Sequence, residues 1–237
     1  MIDLSNRSIL PELLDGADIP FADIRQNMKE LNTINTWLGG HRITIAGLKA
    51  IIGNHPAGRP LHICEIGCGG GDNLFALHQW CRRKKINARF TGIDIKAECI
   101  AFARQQYPLL KARWIHNDYA QTSLEEDIPD VVFSSLFCHH FTTAGLVPML
   151  QWMQRNSRTG FFINDLERNR FAYYAIKIIT TLFSSSYLVK HDAPISVARS
   201  FIKKDWHTIF AQSGISRYTL AWKWAFRYLV TCKHDGI

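Results

Sequence analysis

Residues 64–72 read CEIGCGGGD, placing four glycines within five positions directly after an apolar run that holds one acid. A segment so poor in side chains brings backbone close to something that a Cβ would exclude. The preceding residues 62–67, HICEIG, are strand-like by their apolar run. Residues 72–84, DNLFALHQWCRRK, carry Leu74, Phe75, Leu77 and Cys81 at helical spacing. Strand, glycine loop and helix in that order are the setting of a nucleotide or cofactor site. A dinucleotide loop begun at Gly67 and Gly69 would need glycine or alanine at position 72. Asp72 stands there instead, and a carboxylate beside a pyrophosphate at a helix N-terminus is unfavourable. No Lys-Ser/Thr pair follows, which excludes a P-loop. The spacing that fits is E-x-G-x-G-x-G, made by Glu65, Gly67, Gly69 and Gly71.

Outward from the loop, strands and helices alternate. ARFTGIDI (88–95), ARWIHND (112–118), DVVFSSLF (130–137) and TGFFINDL (159–166) read as strands. KAECIAFARQQYP (96–108) and GLVPMLQWMQRN (145–156) read as helices. Short connections between alternating elements predict right-handed crossovers and a doubly wound, largely parallel sheet. The chain closes on ISRYTLAWK (215–223) and AFRYLVTCK (225–233), which read as an antiparallel hairpin at one sheet edge. Ahead of the alternation, residues 1–60 read as helical, with Phe21, Ile24, Met28, Leu31, Asn35 and Leu38 on one face. Residues 168–200 interrupt the alternation with an apolar helix bearing Phe171, Tyr174, Ile178 and Leu182, then a serine-rich turn and Pro194.

Composition narrows the function classes. The 237 residues are 47% hydrophobic and 20% charged, as in a globular enzyme and unlike a disordered chain. No stretch reaches the length a bilayer span needs, and MIDLSNRSIL lacks the pattern of an export signal. Six cysteines without a CxxC pair read as reduced, packed thiols, which points to the cytoplasm. The formal net charge of +8 keeps an acidic partner open. The basic run Arg82–Lys85, however, reads as a solvated helix end that complements the helix dipole.

EIGCGGG together with FTGIDI resembles the first two motifs of the class I S-adenosylmethionine-dependent methyltransferases. The resemblance implies an α/β, Rossmann-like fold with a seven-stranded, mostly parallel sheet and an antiparallel last strand. On it, residues 1–60 form a helical segment packed on a methyltransferase domain at 61–237, with a lid inserted at about 168–200. It also implies S-adenosylmethionine as cofactor, held by Glu65, Gly67, Cys68, Gly69, Gly71, Asp94, Ile95, Asn117, Asp118 and Ser135. In that scheme the glycines let backbone lie against the amino-acid part of the cofactor, and Glu65 counters its ammonium. Asp94 accepts the ribose hydroxyls, and Asn117 or Asp118 takes the adenine amino group.

Ligands of such sheets sit beyond the carboxyl ends of the strands, so the fourth and fifth strand ends face the transferred methyl. The fourth strand ends in SSLFCHHFT (134–142). It lacks the Asn/Asp-Pro-Pro-aromatic motif of nucleic-acid amino-methyltransferases, and no double-glutamate hairpin of protein arginine methyltransferases is present. His139 and His140 stand there instead, as histidines do in small-molecule methyltransferases, and either would take a proton from a phenol or enol. Adjacent side chains rarely both point into one pocket, and of the two the expected base is His140. Asp165 either orients a histidine or caps a helix beginning near Glu167. Cys138, His139 and His140 are contiguous and no acid follows Phe137, so no metal is expected. Tyr173, Tyr174, Phe183 and Tyr187 suit an apolar substrate chamber, or belong to a core helix packed on the sheet; Asn35, Trp37 and Leu38 either close over the cofactor or lie on a helix that stabilises the sheet edge.

The segments PELLDGADIP (11–20) and LNTINTWLGG (31–40), with SSLFCHHF and NDL, are also similar to methyltransferases of bacterial aromatic polyketide and pigment pathways. That similarity implies a hydroxyl of a lipophilic phenolic or enolic small molecule as acceptor, with nucleic acid disfavoured. The other classes left open are an RNA or protein methyltransferase and a non-catalytic cofactor-binding protein.

Overall fold

The computed structural model describes residues 3–16, 18–53 and 59–234. Its strands are β1 (Leu61–Ile66), β2 (Ala88–Asp94), β3 (Arg113–His116), β4 (Val131–Ser135), β5 (Gly160–Leu166), β6 (Thr219–Lys223) and β7 (Arg227–Lys233). They form one sheet in the order β3-β2-β1-β4-β5-β7-β6. The first five strands are parallel, and β7 runs antiparallel between β5 and β6. This is the expected class I methyltransferase fold. Every residue of β1 is buried, as a strand covered on both faces requires.

The alternation of side chains across the sheet divides the core in two. On one face Ile63, Phe133 and Phe162 pack with α2 (Gly40–Ile52) and α3 (Asp72–Arg83). On the other, Cys64, Val132, Phe161 and Ile163 pack with α5 (Thr143–Arg155) and α8 (Lys203–Ser213). The remaining helices are α1 (Phe21–Trp37), α4 (Ala97–Gln106), α6 (Arg170–Phe183) and α7 (Tyr187–Arg199). α1 follows the expected stripe in part, burying Ile24 and Met28 against Cys99 and Phe102 and also Asn35, while Phe21 is exposed and Leu38 caps its end. All six cysteines are buried and free.

Two segments depart from expectation. Residues 3–16 and 18–20 are irregular apart from one 3-10 turn at Leu13–Asp15, so the N-terminal sixty residues are not all helical. The expected boundary after residue 60 adjoins residues 54–58, which lie outside the described ones. In residues 168–200 the expected apolar helix is α6, and the serine-rich turn and Pro194 follow it as expected, but Pro194 lies inside a second helix, α7, that was not expected. α7 is fixed by burial of Leu188, Val189, Val197 and Ala198, and this packing outweighs the loss of one backbone donor at Pro194. α6 is different: it buries only Ala172 and Thr180 and exposes Phe171, Ile178, Leu182 and Phe183.

Candidate active site

Where the order of strands reverses, between β1 and β4, a parallel sheet opens a crevice at its carboxyl edge. A cavity of about 650 Å³ occupies it, roofed by α1, α6 and α7. Its wall includes Glu65, Gly67, Cys68, Gly69, Asp94, Ile95, Asn117, Asp118, Ser135, His139 and His140. The four aromatics expected in the chamber, Tyr173, Tyr174, Phe183 and Tyr187, are not on that wall, where α6 presents Phe171, Ile176 and Ile179 instead. Of the residues expected to hold the cofactor or to act, Gly71 and Asp165 are also off it. Gly71 is the left-handed N-cap of α3, with φ 79°, and Asp165 lies behind His139. Asn35 and Leu38 face the cavity, whereas Trp37 is solvent-exposed and outside it.

The glycine loop divides its work. Gly67 has φ 63°, and a Cβ there would meet the Phe137 ring at 2.2 Å; at Gly71 it would meet Trp114 at 2.5 Å. These two glycines make room for rings of the protein, not for a ligand. Gly69 is the open one, where a Cβ would find only the Met28 sulfur, at 3.6 Å. The Gly69 amide donates to Asp94 Oδ2 at 2.8 Å and the Lys96 amide to Asp94 Oδ1 at 2.9 Å, which fixes the carboxylate at the end of β2. Burial raises the Asp94 pKa. Asp118 accepts from the Ala120 amide at 2.9 Å, and the Asn117 amide donates to the Asp94 carbonyl at 3.1 Å. Ser135 takes a bond from Asn164 Nδ2 at 3.3 Å, and Leu136 beyond it has φ 53°, a left-handed turn that bends the chain at the cavity edge.

The residues fit S-adenosylmethionine on three counts: an open glycine at the β1 loop, a fixed carboxylate at the end of β2, and a buried, orphaned Glu65 Oε2 on the wall. Burial, then the Asp72 carboxylate, pushes the Glu65 pKa well above the usual range. A cation is what such a carboxyl lacks.

The histidines sit in a 3-10 turn, Cys138–His140, and each has a carboxylate on its Nδ1. Asp165 Oδ1 is 2.7 Å from His139 Nδ1, and Asp15 Oδ1 is 3.2 Å from His140 Nδ1. Asp165 therefore orients His139 rather than capping a helix, a role taken before α6 by Asn169. The other nitrogens meet a residue from the N-terminal segment that no local pattern marks. Glu12 Oε1 is 3.6 Å from His139 Nε2, and Glu12 Oε2 is 3.8 Å from His140 Nε2. Glu12 is 6% exposed and His139 3%. Burial lifts the Glu12 pKa to about 6. Asp15, by contrast, sits at about 2; burial works to raise it, and the hydrogen bond and charge of His140, with Arg199, outweigh that.

Arginines hold this segment in place. Arg7 donates to the Phe141 carbonyl at 2.8 Å, Arg199 to the His140 carbonyl at 2.7 Å, and Arg168 to the Leu4 carbonyl at 3.1 Å. Among the described residues, Glu12, His139 and His140 are the one group whose donor atoms converge as a metal site would need, all within 4.8 Å. Cys138 points away from it, against Ser134 and Met149.

Residues 63–160 match the profile of the methyltransferase-domain family. The fold is similar to the plantazolicin methyltransferase BpumL in complex with SAH: TM-score 0.65 and 15% identity over 91% of this chain and 89% of that one. It is also similar to the magnesium protoporphyrin IX methyltransferase ChlM from Synechocystis PCC 6803 with bound SAH. There the TM-score is 0.54 and the identity 16%, over 93% of this chain and 90% of the other. The CMeT domain of the citrinin polyketide synthase aligns at TM-score 0.59 and 14% identity, over 80% of this chain and 51% of that one. No curated protein matches the chain by sequence.

Proposed function

We propose that this class I S-adenosylmethionine-dependent methyltransferase moves the methyl group to a hydroxyl of a lipophilic phenolic or enolic small molecule. The observation that carries the reading is the Asp165–His139–Glu12 array, with His139 and Glu12 on the wall of a largely apolar cavity and Asp165 behind His139. His139 Nε2, His140 Nε2 and a Glu12 oxygen all face one small space. A hydroxyl there finds acceptors on several sides, and its proton is what they share.

The bound cofactor supplies an electrophilic methyl on a sulfonium. Glu65, Gly67, Cys68, Gly69, Asp94, Ile95, Asn117, Asp118 and Ser135 would hold it. As the substrate oxygen gives up its proton, His139 Nε2 accepts it. Asp165, on the opposite ring nitrogen, stabilises the imidazolium that forms. We assign the base to His139 rather than His140, because Asp165 is fully buried and bonded at 2.7 Å, whereas Asp15 is half exposed. No metal enters this scheme; Glu12 stands against both histidines in the space a cation would take.

The apolar wall from α6 and α7, including Phe171, Ile176, Ile179 and Val189, suits a ring or acyl chain. No described helix is long and apolar enough to cross a membrane. The buried free thiols fit a cytoplasmic enzyme. The test is incubation with S-adenosylmethionine carrying a 13C methyl and separate pools of lipophilic phenols, RNA and protein. The reading expects methoxyl signals in the phenol pool; label on carbon, on nitrogen or in the macromolecules alone overturns it.

A further inference from the structure

Arg227 opens β7 at the carboxyl edge of the sheet and is 2% exposed on the cavity wall. Its hydrogen bonds go only to amides: one nitrogen reaches Asn35 Oδ1 at 3.1 Å and another Asn164 Oδ1 at 3.5 Å. Nε has no partner. The neighbouring carboxylates are engaged elsewhere, Asp165 by His139 at 2.7 Å and Asp72 by His41 at 2.8 Å and Asn35 at 3.1 Å. The guanidinium is thus a buried cation without a carboxylate in contact, and burial lowers its pKa to about 10. Such a group is stable only when an anion joins it.

Glu65 has the opposite want. It is 1% exposed on the same wall, and its Oε2 is unpartnered. A buried guanidinium and an unpartnered carboxyl in one cavity are complementary to a zwitterion, whose ammonium would favour the carboxylate form of Glu65. Asn35 shows at which end they meet, since it bonds both Arg227 and Asp72, the residue that follows the glycine loop. That end is away from Asn117 and Asp118 at the tip of β3.

We infer that Arg227 binds the α-carboxylate of the cofactor's amino-acid part, with Asn35 holding the guanidinium in place and Glu65 facing the ammonium. The inference rests on the cofactor assignment. It adds a residue about 160 positions downstream of the glycine loop, on the strand farthest from it in sequence. A carboxylate on the methyl acceptor is the other source of the same chemistry.

Calorimetry separates these. S-Adenosylhomocysteine and 5′-methylthioadenosine share the nucleoside and sulfur, and only the first has the amino acid. Arg227→Gln is expected to weaken S-adenosylhomocysteine roughly ten- to hundred-fold, the range for a lost charged hydrogen bond, and to leave methylthioadenosine unchanged. Arg227→Lys should recover part of the loss. Equal loss of both ligands would make Arg227 a structural residue and overturn the inference. Unchanged affinity for both, with a raised KM for carboxylated acceptors only, would assign the group to substrate and also overturn it. If neither ligand binds the unaltered enzyme, the cofactor assignment itself falls, and the inference with it.

Discussion

His139 Nδ1 and Asp165 Oδ1 are 2.7 Å apart in a fully buried setting, and the second Asp165 oxygen accepts the His139 backbone amide at 3.3 Å. One carboxylate at the end of β5 thereby fixes both the ring and the backbone of a residue at the end of β4. The ring nitrogen that faces the cavity is then Nε2, with its lone pair available.

Asp165→Asn should therefore lower kcat, because an amide in that place no longer stabilises imidazolium and can favour the wrong tautomer. The expected loss is about 10²–10⁴-fold, the contribution of a positioned general base. S-Adenosylhomocysteine affinity, measured by calorimetry, should stay within about twofold, since Asp165 is off the cavity wall. A matching loss of cofactor affinity would show collapse of the site instead.

Glu12 gives stability a pH signature. Its folded pKa, about 6, is raised above the ordinary 4.5, so its favourable contribution is complete below pH 4.5 and is lost as pH rises through 6. The difference is on the order of 2 kcal/mol. Glu12→Gln should remove this dependence. Thermal melts of the two proteins at pH 4.5 and 7 should show the variant gaining on the wild type by that amount. A constant difference would mean that Glu12 is solvated.

Gly67 cannot carry a side chain. At φ 63°, with the Phe137 ring 2.2 Å from the place of a Cβ, Gly67→Ala combines left-handed backbone strain with overpacking. A loss of at least about 2 kcal/mol in urea unfolding is expected. Gly69→Ala meets only the Met28 sulfur and should cost less in stability while weakening the cofactor.

The layout of the sheet was legible because β1, β2, β4 and β5 are near-continuous apolar runs, and their end residues carry the cofactor motifs. The role of the glycines was legible only in outline. That Gly67 and Gly71 yield to Phe137 and Trp114 depends on rings 70 and 43 positions away, beyond any local pattern. Glu12 was illegible for a related reason. It lies in a segment without periodicity, and long-range bonds bring it to the histidines: those of Arg7, Arg168 and Arg199, the Ser196 hydroxyl on Glu12 itself, and Asp192 on the Leu13 and Leu14 amides. Arg227 was hidden inside a strand that read correctly as an edge hairpin. α7 was illegible because Pro194 sits inside it, and that helix is held by burial and not by propensity.

Between α6 and α7, the turn Ser184–Ser186 is tied to Glu30 of α1, which accepts from the Ser185 amide at 3.0 Å and the Ser186 amide at 3.2 Å. With α7 buried and α6 half bare, hydrogen exchange without ligand should be fast along α6 and slow along α7. Substrate should slow α6. Equal, strong protection of both helices in both states would make α6 a core helix and not a lid.

Dialysis against EDTA should leave turnover intact, and added Zn2+ should inhibit by occupying the Glu12, His139 and His140 atoms. Loss of activity on chelation, restored by a divalent ion, would replace the proton scheme with a metal one.

The account stands most directly on His139 as the group that receives the substrate proton. The measurement is kcat of His139→Ala with a methylated phenolic acceptor, beside S-adenosylhomocysteine affinity of the same variant. The account predicts a fall of about 10²–10⁴ in kcat with affinity kept, and a smaller fall for His140→Ala. Near-full turnover in His139→Ala would contradict it.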